Sequence, residues 1–202
     1  MKQFEIRQFS VPQLQGISET TIAEHLKLYA GYVKNANLIL NTLNEKQLGN
    51  LNPDLTTYAQ AELRRRLSFE YNGIRNHEIY FESLIGGPQE ITSGSNLYTA
   101  IAQEFGSHEA FIENLMSLAL TRGIGWAMLS YDKQDERLLL SWVDEQHLGQ
   151  LQGCPVILAL DMWEHSYVAD YLPSGKKNYV ADYLKNLNWN TLEKRFDSIL
   201  DK

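Results

Sequence analysis

The stretch Leu158-Ala-Leu-Asp161-Met-Trp163-Glu164-His165-Ser-Tyr167 contains a carboxylate and an imidazole four residues apart, directly after an apolar run. The run from Pro155 to Leu160 predicts a buried strand. An Asp oxygen and a neutral His nitrogen at the end of such a strand suit Fe, Mn, Zn or Ni. The same residues also fit an ordinary helix start, with Asp161 as N-cap, Glu164 as its capping-box partner and His165 packed in the interior. On this stretch alone, both interpretations remain open.

Two further histidines lie in the apolar stripes of long predicted helices. After an extended arm over residues 1–16, a helix is predicted to about Leu43, and His25 lies inside its apolar stripe. A second helix is predicted from about residue 56 to beyond Leu84, with His77 again among apolar positions. A lone histidine on an apolar helix face is more often a packed core residue than a metal ligand. The short polar connection, however, predicts an antiparallel hairpin whose facing surfaces each contribute one histidine.

The remaining chain changes its periodicity after a glycine-rich break at Gly86-Gly87-Pro88. Short apolar or aromatic runs predict three strands, and longer amphipathic runs predict helices. The predicted helices cover residues 97–105, 108–121, 163–171, 176–187 and 189–200, and the predicted strands cover 125–131, 137–143 and 155–160. The predicted fold class is therefore α+β: an antiparallel helical hairpin over residues 1–88, followed by an α/β domain over residues 89–202 with a three-stranded antiparallel sheet.

Composition restricts the kinds of partner. The chain has 202 residues and a formal net charge of −7. Its one basic cluster, Arg64-Arg65-Arg66, is flanked by Glu62 and Glu70, which favours a solvated helix face. Binding to nucleic acid or to an anionic membrane through a basic patch is not expected. The first residues have no apolar signal core, and no apolar run reaches the length of a membrane span, so we predict a cytoplasmic protein.

Four candidate ligands, His25, His77, Asp161 and His165, are embedded in apolar or aromatic sequence. An unpartnered imidazole or carboxylate in such surroundings is costly, and one shared metal ion would remove that cost for all four groups. Three neutral histidines and one carboxylate leave a net charge of +1 with a divalent ion and +2 with a trivalent ion. An open fifth position would favour a redox or hydrolytic role over a structural one.

The chain resembles the iron/manganese superoxide dismutase family over nearly its whole length. Residues 161–171, Asp-Met-Trp-Glu-His-Ser-Tyr-Val-Ala-Asp-Tyr, are similar to the family signature D-x-W-E-H-A-Y-Y-x-D-Y. Shorter matches are Asn76-His77, Gly123-Ile-Gly125-Trp126 and Asn186-x-Asn188-Trp189. The resemblance implies superoxide dismutation at one Fe or Mn ion per chain, in a homodimer with the metal between the two domains. It also implies metal ligands at the positions His25, His77, Asp161 and His165.

The resemblance further implies residues around the metal. An amide side chain that bonds the solvent at the metal is expected at Gln146, because the alternative family position is Gly73; His147 is the competing neighbour. Trp126 and Trp163 match the aromatic wall around the metal. Glu164 matches the residue that reaches across the dimer to the ligand histidine of the second subunit.

The chain departs from the family pattern near the gateway tyrosine, the residue that guards the approach of substrate to the metal. Four residues after His25 this chain has Tyr29 where the family has a histidine. Three residues after His165 it has Val168 where the family has the tyrosine that pairs with that histidine across the dimer. Tyr29 and Tyr32 both lie near the His25 face of a regular helix, so either is a candidate gateway residue. Two other functions fit the same frame: a different mononuclear metal oxidoreductase, and a non-catalytic structural relative.

Overall fold

The computed structural model describes residues 2–44, 48 and 51–201. An extended arm leads into helix α1, Glu19–Asn44, which packs against helix α2, Pro53–Glu82. Helix α2 begins before the predicted residue 56 and ends before the predicted Leu84. The Asn52 side chain accepts a hydrogen bond from the Leu55 N–H at 2.9 Å and Pro53 takes the first helical position. The Asn-Pro pair thus starts the helix earlier than predicted.

The second half of the chain contains five helices and one sheet among the described residues. The helices are α3 (Asn96–Phe105), α4 (His108–Ala119), α5 (Val168–Tyr171), α6 (Lys176–Lys185) and α7 (Trp189–Leu200), and the strands are β1 (Gly125–Asp132), β2 (Arg137–Asp144) and β3 (Val156–Asp161). The predicted α+β class, with a helical hairpin and a three-stranded antiparallel sheet, is confirmed.

The helix predicted over residues 163–171 is wrong. The structure has a single 3-10 turn, Glu164–Ser166, followed by the four-residue helix α5. The Ser166 hydroxyl lies 3.1 Å from the carbonyl oxygen of Asp161 and 2.7 Å from that of Trp163, which ties the chain back on itself after β3. Asp161 is also not a helix N-cap. It is the last residue of β3, and its Oδ1 accepts the Trp163 N–H at 2.8 Å.

The sheet order is β2-β1-β3, with β1 in the middle and antiparallel to both neighbours. The register pairs Trp126 with Asp161, so an indole and a carboxylate meet at one end of the sheet. Helix α2 packs against β3, which brings the hairpin to that same end. The core residues of both halves form one continuous cluster.

The arm ties the two ends of the chain together. The Gln15 N–H donates to Asn186 Oδ1, and Asn186 Nδ2 donates back to the Gln15 carbonyl, both at 2.9 Å. Asp170 Oδ2 accepts from the Ser18 N–H at 2.8 Å and from the Thr21 hydroxyl at 2.7 Å. Within the described residues, no helix has the length and apolar character needed to cross a membrane.

Candidate metal centre

The four candidate ligands come from four separate elements and meet at one point. His25 lies on α1, His77 on α2, Asp161 at the end of β3 and His165 in the following 3-10 turn. Their ligand atoms all lie within 4.8 Å of one another. The Nε2 atoms of His25, His165 and His77 lie 3.1, 3.2 and 3.6 Å from Asp161 Oδ2. This arrangement can hold one metal ion.

The donor set fits a cation because its nitrogen lone pairs face inward. His77 Nδ1 is 2.6 Å from the Gly73 carbonyl, so Nδ1 carries the proton and Nε2 is left as the free lone pair. That Nε2 is a buried atom without a hydrogen-bond partner among the described residues. Desolvation by burial lowers the pKa of His77 to about 3, which keeps the imidazole neutral at physiological pH, as coordination requires.

The carboxylate at the centre is ionised although it is fully buried. Burial alone would raise its pKa. The neighbouring His165 and His25 outweigh this effect and hold the pKa of the Asp161 carboxyl well below its usual range. A bound cation would act in the same direction. The buried anion therefore favours a positively charged occupant at the point where the imidazoles converge.

Aromatic rings surround the four ligands. The Trp126 ring lies 5.1 Å from that of His77, and the Trp163 ring is stacked at 5.8 Å from that of His165. Tyr80 and Phe81 each lie 4.9 Å from the ring of His25. A wall of this kind excludes water and strengthens electrostatic interactions inside it.

A hydrogen-bonded chain runs along one side of the ligand cluster. Gln146 is fully buried; its Oε1 accepts the Trp126 indole N–H and its Nε2 donates to the Tyr32 hydroxyl, both at 3.0 Å. The Tyr32 ring lies 5.0 Å from that of His77. His147 instead packs edge-on against Phe69 at 5.8 Å, and its buried Nδ1 has no hydrogen-bond partner among the described residues.

The Tyr29 hydroxyl takes no part in the hydrogen bonds that link Tyr32, Gln146 and Trp126. It donates to Glu78 Oε1 and accepts the Arg7 N–H, both at 3.1 Å. Glu164 is exposed and Val168 is half-buried. The structure therefore groups Tyr32 with Gln146 and Trp126, and it separates Tyr29 and His147 from them.

Two residues support this arrangement in roles that the sequence did not predict. The buried Asn76 donates from Nδ2 to the Gln146 carbonyl at 3.0 Å, which fixes the segment that carries the amide. Gly73 leaves room for Tyr32: an added Cβ would lie 2.7 and 2.8 Å from two carbons of the Tyr32 ring. A glycine in the middle of a long helix was the available signal for a close packing contact.

The hairpin, the small antiparallel sheet and the three imidazoles around one buried carboxylate define the class: an α+β protein able to hold a single metal ion. Residues 92–195 match the family model described as "Iron/manganese superoxide dismutases, C-terminal domain". The chain therefore belongs to the iron/manganese superoxide dismutase family, as the motifs predicted.

Full-length relatives agree with this assignment. The chain is 35% identical to "Superoxide dismutase [Fe]" of Cupriavidus metallidurans, over 91% of this chain and 90% of the relative. It is 31% identical to "Superoxide dismutase [Fe]" of Methanothermobacter thermautotrophicus, over 90% and 87%. A protein named "Superoxide dismutase [Mn/Fe]" from Aeropyrum pernix is 29% identical, over 92% and 85%. The similarity thus extends over both the helical hairpin and the sheet.

Proposed function

We propose that this protein is a superoxide dismutase that converts two superoxide ions and two protons into dioxygen and hydrogen peroxide. The observation that carries the proposal is the cluster of His25, His77, Asp161 and His165, with all ligand atoms within 4.8 Å, in a chain of the dismutase family. We assign these four residues as the ligands of one Fe or Mn ion per chain. The bound ion supplies the alternation between divalent and trivalent states that the reaction needs.

The protein's own groups attract and orient the substrate. With one carboxylate and three neutral imidazoles, the loaded site carries a net positive charge within a chain of formal net charge −7. A buried cationic site focuses the field toward a small anion such as superoxide. Trp126 and Trp163 keep the site dry, and in our assignment they shape the cavity without binding the ion themselves.

Tyr32 and Gln146 are assigned to proton handling. The Tyr32 hydroxyl accepts the Gln146 amide N–H, so its own proton remains free to be donated toward the ligand cluster. Desolvation by burial raises the pKa of Tyr32, which keeps the phenol protonated at neutral pH. Gln146 holds that phenol in place and is held in turn by Trp126. Tyr29, with its hydroxyl directed to Glu78, is not the gateway in this assignment.

The Gln146→Ala variant is expected to keep its metal while dismutating more slowly and with a shifted reduction potential. The substitution removes the link between Trp126 and Tyr32 and leaves all four ligand side chains in place. Metal content, turnover and a redox titration of the purified variant measure these three quantities. His147→Ala is the matched control, with near wild-type values expected. If His147→Ala shows the defect and Gln146→Ala does not, the assignment of the amide is wrong.

The function itself is tested on the purified wild-type protein. Elemental analysis is expected to find close to one Fe or Mn per chain, and a cytochrome-reduction competition assay is expected to show removal of superoxide. Zinc alone, or Fe and Mn without turnover, would contradict the proposal. Metal without turnover would favour a non-catalytic relative, and substrate-dependent oxygen uptake would favour a different mononuclear oxidoreductase.

Three wider features of the protein are also proposals. We infer a division at Pro88 into a helical-hairpin domain over residues 1–88 and an α/β domain over residues 89–202, with the ligands contributed by both. We infer a homodimer in which the exposed Glu164, adjacent in sequence to His165, meets the second copy. Sedimentation is expected to give the mass of two chains. We also infer a cytoplasmic location, because the one cysteine of the sequence, Cys154, cannot form an internal disulfide, as is typical of proteins in a reducing compartment.

A further inference from the structure

Three tyrosines form a continuous chain from the candidate metal centre toward the protein surface. The Tyr80 ring lies 4.9 Å from the ring of His25. The hydroxyl oxygens of Tyr80 and Tyr179 are 3.3 Å apart, and the Tyr179 hydroxyl also donates to the carbonyl of Asp161 at 2.9 Å. The Tyr171 ring follows at 6.0 Å from that of Tyr179. We call Tyr80, Tyr179 and Tyr171 the tyrosine chain.

The two ends of the tyrosine chain have different surroundings. Tyr80 and Tyr179 are fully buried, whereas Tyr171 is half-buried. The Tyr171 hydroxyl donates to Asp182 Oδ2 at 2.9 Å. A carboxylate at this distance can accept the phenolic proton when the ring loses an electron, and this makes the oxidation easier. Tyr171 is therefore the member of the chain best suited to hold an oxidised state.

The two tryptophans beside the ligands lack such a base. The Trp126 indole N–H donates to an amide oxygen, that of Gln146, and the Trp163 indole N–H donates to the Glu145 carbonyl. Neither acceptor takes up a proton at neutral pH. Loss of an electron from these rings would leave a cation in an apolar wall, which is unfavourable.

We propose that the tyrosine chain carries oxidising equivalents from the metal centre to Tyr171, and that Tyr171 is a site of one-electron oxidation. This inference rests on the proposed function, which supplies hydrogen peroxide and a divalent ion. An ion held by the four ligands would supply the one electron that splits the peroxide O–O bond into hydroxide and a hydroxyl radical. The radical takes one electron through Tyr80 and Tyr179, becomes hydroxide and gains a proton from solvent to form water. Tyr171 supplies that electron, and its phenolic proton passes to Asp182.

The consequence for the protein is protection of its ligands. If the tyrosine chain did not carry the oxidising equivalent to Tyr171, the hydroxyl radical would attack His25, His77 or the tryptophans beside them. An oxidised Tyr171 can be restored by a small reductant in solution because part of its side chain is accessible. Tyr29 also donates to a carboxylate, but that tyrosine is only 1% exposed. A radical on Tyr29 could not be reduced by a small molecule in solution.

The test locates the radical directly. The metal-loaded wild-type protein is treated with hydrogen peroxide in the presence of a nitroso spin trap, and adducts are assigned to residues by peptide mass spectrometry. The expected adduct is on Tyr171. In Tyr179→Phe the ring shape is kept but the oxidisable phenol is lost, and the adduct on Tyr171 is expected to fall several-fold. Tyr131→Phe, a buried tyrosine outside the chain, is the matched control and is expected to leave that adduct unchanged.

A second variant covers the case in which Tyr179→Phe fails to fold or to bind metal. Asp182→Asn removes the proton acceptor and leaves every ring in place, and it is also expected to lower the Tyr171 adduct several-fold. Dismutation and metal content are measured on each sample. A wild-type protein that dismutates superoxide but carries no Tyr171 adduct, or an adduct unchanged in both variants, overturns the inference alone. A wild-type protein that does not dismutate overturns the proposed function instead.

Discussion

The Asp161→Ala variant is expected to purify without Fe or Mn and without measurable dismutation. Asp161 Oδ2 lies within 3.1 to 3.6 Å of the Nε2 atoms of all three histidines, so its removal deletes both a ligand and the negative charge that attracts a cation. His77→Ala is expected to give the same result, because it removes a buried Nε2 that faces the carboxylate. Elemental analysis and the cytochrome competition assay measure the two losses.

His108→Gln serves as the control for both substitutions. His108 is a histidine outside the cluster, packed against Trp189 at 4.8 Å, and its replacement is expected to leave metal content and rate close to wild type. Circular dichroism separates loss of metal from loss of fold. An Asp161→Ala protein that is folded and still holds one Fe or Mn per chain would show that the ion binds elsewhere.

The Gly73→Ala variant is expected to lower the free energy of unfolding by about 1–3 kcal/mol, the usual cost of overpacking. The new methyl group would lie under 3 Å from the Tyr32 ring, which must move. Movement of that ring breaks its hydrogen bond with Gln146, so the dismutation rate is expected to fall as well. Urea denaturation and the rate of the metal-loaded variant measure the two effects.

Gly31→Ala is the matched control, since Gly31 is the helical glycine of α1 and has nothing within 4 Å of an added Cβ. Alanine there is expected to stabilise the helix by roughly 0.5–1 kcal/mol through its lower conformational entropy cost. A Gly73→Ala protein with the stability and dismutation rate of the wild type would show that the Tyr32 ring does not pack against Gly73.

Apolar periodicity was enough to predict the class of fold. His25 and His77 could be placed on facing helices because both lie inside apolar stripes, and the run before Asp161 could be identified as a strand. The helix predicted after that strand was wrong, because side-chain periodicity does not reveal the hydrogen bonds of Ser166 that turn the chain back.

The arrangement around the ligands depends on contacts between distant residues. Whether Gln146 or His147 points inward is decided by the turn after β2, where Glu145 adopts a positive φ of 52° and its N–H bonds the Ile124 carbonyl. Spacing alone cannot report that dihedral angle. Tyr29 and Tyr32 lie on the same face of α1, and they differ only in partners supplied by other elements, Glu78 in one case and Gln146 in the other.

The bonds between Gln15 and Asn186 have a consequence for the timing of assembly during synthesis. The arm cannot reach its partner until nearly the whole chain has left the ribosome, because 171 positions separate the two residues. Asp161 and His165 are likewise translated long after His25 and His77. A nascent hairpin therefore offers an ion only two imidazoles, and acquisition of the metal must follow translation of the second half of the chain.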